Sequence, residues 1–237
     1  MSSSNYPPIW QQQIQRIPEP ELMTTTEQVE AYAAADFSSG DVKVLVWIEQ
    51  LLAKTGPLPK HPSVVDLGCG PGNITFRLAE LLPSAKLIGI DGSDPMLAIA
   101  RRRAGSHHPC NIQFHCLLLQ EAISVFENSA DLIVSNSLLH HLQDPSLLWK
   151  ATRAIGKSGC RVLHRDLCRP SSLAEVHCLQ QRQLPNAPSV LVQDFTASLI
   201  AAYTPEEVTH QLRKAEMKYL VATPEEDRYL VVSGLVN

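Results

Sequence analysis

The six cysteines of this chain, Cys69, Cys110, Cys116, Cys160, Cys168 and Cys178, contain no Cys-x-x-Cys pair and keep no ligand-like spacing with the histidines. No metal centre is read from them, and they are expected to be small buried side chains in a reducing compartment. No apolar run approaches the roughly 20 residues that span a bilayer, and Met1 to Pro8 lacks a basic region followed by an apolar core. A soluble, cytoplasmic protein is expected, with no membrane partner. Positive charge is also short, with 20 Lys and Arg against 24 Asp and Glu and a net charge of −4. No global field recruits phosphate backbones, which disfavours nucleic acid as a partner. Internal repeats and low-complexity segments are missing, and 237 residues suit one well-buried α/β domain with additions.

What is present is alternation. Runs at 63–67, 86–91, 111–116, 131–135 and 160–166 are mostly continuous apolar stretches of strand length, as parallel strands buried on both faces require. Helical patterns occupy 26–36 and 41–54, the second with Val42, Leu45, Val46, Ile48, Leu51 and Leu52 at helical spacing. Asp94-Pro95 and Asp144-Pro145 each offer an N-cap acid followed by proline at the first helical position, and Thr204-Pro205-Glu206-Glu207 adds a capping-box glutamate. Residues 1 to about 25, punctuated by Pro7, Pro8, Pro18 and Pro20, are expected to wrap over the surface without regular structure. The 218–232 segment carries two short apolar runs around Pro224-Glu225-Glu226-Asp227 and reads as a closing antiparallel hairpin. Such alternation imposes a parallel sheet with right-handed crossovers, into which the hairpin inserts one antiparallel strand.

The first apolar run ends in Asp66-Leu67-Gly68-Cys69-Gly70-Pro71-Gly72-Asn73, and the second ends at Asp91. A glycine-rich turn between strand and helix brings bare backbone against a nucleotide-like ligand, and an acid at the end of the next strand is placed to accept bonds from both ribose hydroxyls. A dinucleotide fingerprint needs glycine where this chain has Asn73. Asp66, two residues before the first glycine, would repel a pyrophosphate but attract ammonium and sulfonium charges. The segment resembles the D-x-G-x-G-x-G motif of the class I, Rossmann-like S-adenosylmethionine-dependent methyltransferases.

That resemblance covers roughly residues 60 to 235. It implies a doubly wound, mostly parallel seven-stranded α/β sheet with a C-terminal antiparallel hairpin. Residues 1–60 would be an N-terminal extension and helical cap, and residues 61–237 a single cofactor-binding unit. It implies S-adenosyl-L-methionine as cofactor, with Asp66 at the methionine end and Gly68, Cys69, Gly70 and Gly72 beneath it. Asp91 would hold the ribose, with Gly92, Ser93, Met96, Leu118 and Asn136 around the nucleoside, although Met96 also reads as core. The family commonly carries an acid after the third strand to hold the adenine amino group, and here the segment is His115-Cys116-Leu117-Leu118-Leu119-Gln120-Glu121. Adenine would then rest on backbone groups, apolar packing, Gln120 or Glu121.

Methyl transfer from a sulfonium needs alignment, desolvation and, for some acceptors, removal of a proton. His140 and His141, after the fourth strand, titrate in the right range for a general base. The same segment lacks the Asn-Pro-Pro-Tyr pattern that grips planar nitrogens, which disfavours adenine or glutamine nitrogens as acceptors. Tyr32, Arg165, Arg169 and Tyr203 are the candidate acceptor-binding residues, the arginines for an anionic group, although Arg-to-Asp pairing would equally account for them. The stretch Ser171 to Tyr203, long for a connection, is expected to be a binding lid that roofs the site together with the segments Glu19 to Met23 and Glu30 to Phe37. A small-molecule methyltransferase is the leading expectation. A methyltransferase of protein or RNA, and a non-catalytic binding protein of the same fold, are the alternatives. The oligomeric state is left open.

Overall fold

Seven strands form one sheet in the order β3-β2-β1-β4-β5-β7-β6. The computed structural model describes residues 14–107, 111–226 and 228–237; Met1 to Pro8, Cys110 and Asp227, invoked above, lie outside the described residues. The strands are β1 (Ser63–Leu67), β2 (Lys86–Asp91), β3 (Ile112–Cys116), β4 (Ala130–Asn136), β5 (Gly156–Leu167), β6 (Leu220–Glu225) and β7 (Tyr229–Leu235). The first five pair in parallel, and β7 lies antiparallel between β5 and β6. Pro224 thereby falls on the edge strand, where a missing N–H costs least.

Because strand side chains alternate, neighbouring residues feed opposite layers. Val64, Leu87, Leu132, Val134 and Leu163 pack against helix α2 (Ser38–Thr55) and α3 (Asn73–Leu81). Val65, Leu67, Ile88, Ile90 and Ile133 turn the other way, toward α5 (Leu119–Phe126), α6 (Ser146–Ile155) and α9 (Pro205–Lys214). Both faces being covered explains why the strands carry apolar residues at consecutive positions. In α2 the buried apolar residues are Val44, Ile48 and Leu51, in the same core as Val64, while Val42 and Val46 are exposed.

Other elements depart from the sequence reading. The 171–203 stretch is not an irregular lid but two helices, α7 (Leu173–Gln183) and α8 (Ser189–Ala201). Ser172 caps α7 by accepting from the Glu175 N–H, and Pro185 and Pro188 mark the short link between the helices. They bury Val176, Leu179, Leu199 and Ala202 against Leu167. Helix α1 (Thr26–Ala34) stops two residues early, and α2 starts three residues early. Helix α4 (Asp94–His107) is capped by Ser93, whose hydroxyl faces the Met96 N–H, so Asp94 is already its first residue. Thr204 and Glu207 do form the reciprocal capping box. Cys69 and Cys160 are buried, Cys168 half-buried, and Cys116 and Cys178 exposed, which corrects the expectation of uniformly buried thiols. No helix among the described residues is long and apolar enough to cross a membrane.

Candidate active site

The strand order reverses between β1 and β4, and a cavity of about 570 Å³ opens beyond their carboxyl ends. This is where open α/β sheets bind ligands. Its floor is the turn after β1, where the Gly68 and Cys69 N–H groups donate to the Ile90 carbonyl at 2.8 and 3.0 Å. Gly68 and Gly70 take φ of +67° and +53°, in the left-handed region that favours glycine. A Cβ on Gly68 would lie 2.7 Å from Leu138, whereas one on Gly70 would meet no atom within 4 Å. Gly70 therefore borders open space that a ligand can fill. Gly72 does not line the cavity; at φ +87° it starts α3, with a Cβ there reaching Phe76 at 2.7 Å.

Asp91 closes one side. Its two carboxylate oxygens accept from the Gly70 N–H at 2.8 Å and the Ser93 N–H at 2.7 Å. Each oxygen keeps acceptor capacity, so two ribose hydroxyls fit this carboxylate. Opposite, Asp66 is 1% exposed, and its Oδ2 accepts from the buried Thr75 hydroxyl at 2.6 Å. Burial lifts the Asp66 carboxyl to about 7. Cys69, whose thiol burial also raises, and Gly92, Ser93, Met96, Leu118 and Asn136 also line the cavity. The Ser93 hydroxyl donates to the Met23 carbonyl at 2.6 Å, and Leu22 and Leu118 close over Gly92. Glu121 is committed to the Leu118 N–H at 2.8 Å, which leaves Gln120, a lining residue, and apolar packing for adenine.

The other half, beyond β4 and β5, is built on Asp166. Its Oδ2 accepts from the Leu138 and Leu139 N–H groups at 2.7 and 2.6 Å, and its Oδ1 lies 2.5 Å from His140 Nδ1. The short 3₁₀ turn Leu139–His141 is thereby fixed to the end of β5. His140 is fully buried, which favours the neutral ring, yet the Asp166 and Glu19 carboxylates outweigh burial and raise its pKa. Glu19 comes from the N-terminal strap. Its Oε1 stands 3.5 Å from His140 Nε2 and 3.1 Å from His141 Nδ1, and burial of its carboxyl is outweighed by these two rings, which lower its pKa. Arg16 anchors the strap by donating to the carbonyls of His140, Leu142 and Ala201. His164, in contrast, is buried as a neutral ring, its pKa pushed down to about 3, between the hydroxyls of Ser135 and Thr152.

The four acceptor-binding candidates divide. Tyr32 lines the cavity, stacked 4.7 Å from Phe37, and its phenol is kept protonated by burial and by the charges of Asp41, Asp91 and Asp166. Arg165 also lines it, but its Nε donates to Glu225 Oε2 at 2.5 Å and its guanidinium stacks 3.5 Å over Tyr229. It is an internal ion pair, and the partner is Glu225, not the neighbouring aspartate. Arg169 and Tyr203 are outside the lining. Arg169 bonds the Ala202 carbonyl and Glu207, and the Tyr203 hydroxyl donates to the Leu142 carbonyl at 3.1 Å. Asp166 and Glu225 are partners of the candidate residues that sequence reasoning did not single out. The 171–203 stretch does cover the cavity, folded as α7 and α8, with Leu184, Leu191 and Phe195 among the lining residues.

A family model described as a methyltransferase domain matches residues 58–223. Trans-aconitate 2-methyltransferase of Methylobacterium nodulans is 34% identical over 155 residues, covering 64% of this chain and 53% of that one. The enzyme of the same name from Deinococcus radiodurans is 39% identical over 105 residues, covering 42% and 38%. The chain thus spans about half the length of these curated relatives, or less. Among solved structures, a SAM-dependent methyltransferase from Aquifex aeolicus superposes with a TM-score of 0.64 at 15% identity, covering 90% and 100% of the two chains. The plantazolicin methyltransferase BpumL, solved with a triazolic analog and SAH, gives 0.68 at 15%, covering 89% and 90%. With its glycine turn, paired aspartates and sheet order in place, the chain belongs to the methyltransferase-domain family, in the class I Rossmann-like S-adenosylmethionine-dependent group.

Proposed function

We propose that this protein moves the methyl group of S-adenosylmethionine onto a small-molecule acceptor held beneath α7 and α8. One observation carries the reading: a single cavity runs from the Gly70–Asp91 cradle to His140 and His141, with Asp166 and Glu19 behind His140, under helices α7 and α8 and the strap. A roofed, concave cavity suits an acceptor that enters whole, which favours a metabolite over a protein or RNA chain. The net charge of −4 points the same way.

Bound in the cradle, the cofactor supplies an electrophilic methyl carbon and a neutral thioether leaving group. Asp91 holds the ribose, Asp66 faces the positively charged end, and the bare main chain at Gly70 admits both. Leu22, Leu118 and Met96 exclude water from the nucleoside side. Across the cavity, Asp166 holds the His140 Nδ1–H, leaving Nε2 beside Glu19 Oε1 as the edge that takes the acceptor's proton. Tyr32, held neutral, donates to the acceptor, while Arg165 keeps the β5 end rigid through Glu225. Residues 1–60 and 61–237 act together, since the strap and α1 supply Glu19 and Tyr32. The name of the curated relatives makes a small unsaturated carboxylic acid the first acceptor to try. A cytoplasmic setting fits the five described cysteines, all of them free thiols.

The test is transfer of labelled methyl from S-adenosylmethionine to a metabolite extract, set against protein and RNA fractions and trans-aconitate alone. Label in a small-molecule fraction, lost in His140→Ala, is expected. Label confined to protein or RNA overturns the small-molecule reading, and none in any fraction overturns the enzymatic one.

A further inference from the structure

Glu19, His140 and His141 place three ligand-type atoms within 4.8 Å of one another, the one such grouping found among the described residues. Glu19 Oε1 is 3.5 Å from His140 Nε2 and 3.1 Å from His141 Nδ1. Tetrahedral bonds of about 2.0–2.1 Å from nitrogen and oxygen to a zinc-like ion set neighbouring ligand atoms about 3.3 Å apart, and both separations match. The short contact to His141 does not have the direction of a hydrogen bond, and Nδ1 stays buried without a hydrogen-bond partner. Atoms that converge on a shared point, instead of aiming at each other, produce that geometry.

The surroundings match as well. A metal-bound imidazole ordinarily passes its other N–H to a carboxylate, and ligating carboxylates are themselves hydrogen-bonded. His140 has Asp166 at Nδ1, and Glu19 accepts from the Ser198 hydroxyl at 3.1 and 3.2 Å. The two carboxylates, Glu19 and Asp166, neutralise a dication.

We propose that Glu19, His140 and His141 form a three-ligand site for a divalent transition-metal ion of the zinc class, with its fourth position open to the cavity. Both histidines line the cavity, so an acceptor oxygen can occupy the open position. Cation binding does not depend on the methyltransferase reading; only the acceptor role rests on it. A cation on His140 Nε2 and a proton there exclude each other, so the loaded protein polarises the acceptor through the ion.

Titrating the full chain with Co²⁺, followed by visible absorption and then Zn²⁺ displacement, tests the site. The expected result is one ion per chain with the strong bands of a low-coordinate nitrogen and oxygen site. Glu19→Gln and His141→Phe should remove them, and Asp166→Asn should weaken binding by about 10–100-fold. Melting curves and S-adenosylmethionine calorimetry on each variant check that it folds. No retained ion, retention unchanged in both ligand variants, or sulfur-to-cobalt charge-transfer bands would overturn the proposal. Cofactor binding without cobalt binding removes the metal site alone; cobalt binding without cofactor binding removes the methyltransferase reading alone.

Discussion

The two ends of the cavity are built in different ways. At the cofactor end the partners are close in sequence: Asp91 bonds Ser93 two positions on, Asp66 bonds Thr75 nine away, and Gly70 reaches Asp91 across 21. At the acceptor end they are distant: His140 and Asp166 are 26 apart, Arg165 and Glu225 are 60 apart, and Ser198 and Glu19 are 179 apart. On the proposed reading, a ligand common to many enzymes sits on a local turn, while the chamber for the variable acceptor is assembled from strap, sheet and roof. Substitutions should respect that division.

The largest effect is expected at the acceptor end. Asp166→Ala removes the partner of a buried imidazole and leaves the N–H groups of Leu138, Leu139 and Leu167 without their acceptor. Denaturant unfolding should show a loss of about 3–5 kcal/mol. A loss below about 1 kcal/mol would mean that Asp166 does not organise the turn. Next, Gly70→Val puts a branched side chain into the cradle and should lower cofactor affinity at least about 100-fold, which is about 3 kcal/mol, with a smaller change in melting. If the variant binds normally, the ligand lies elsewhere. Asp91→Ala removes a bidentate contact and should weaken binding by about 10–100-fold in the same calorimetry. Finally, a cofactor with a positively charged end favours ionised Asp66, whose carboxyl titrates at about 7. Affinity should fall as pH drops below 7, by at most about tenfold per unit, and level off above it. Asp66→Asn should flatten that profile.

The cofactor end was legible in the sequence because its signals are local: glycines whose φ is positive, an acid two residues before them, and a second acid at the close of the next strand. The parallel sheet followed from alternation, and the closing hairpin from two apolar runs around a polar turn. The acceptor end was legible only in fragments. His140 and His141 stood out by residue type, but nothing in the chain announces that Glu19 reaches them, since the strap's path is fixed by Arg16 on three distant carbonyls. Arg165 looked available because its partner, Glu225, sits in what reads as a polar turn. Helix α8 escaped notice because its sequence, Ser-Val-Leu-Val-Gln-Asp-Phe-Thr, mixes β-branched and aromatic residues that favour strands as readily as helices. Tertiary packing against Leu167 and Leu179 decides the matter.

The most direct test of the whole account is calorimetry of the full chain with S-adenosylmethionine, in parallel with a nicotinamide dinucleotide. One methyl donor bound per chain, with affinity lost in Gly70→Val and no heat from the dinucleotide, is the predicted result. Binding of the dinucleotide in its place, or no donor binding at millimolar concentration, would contradict it.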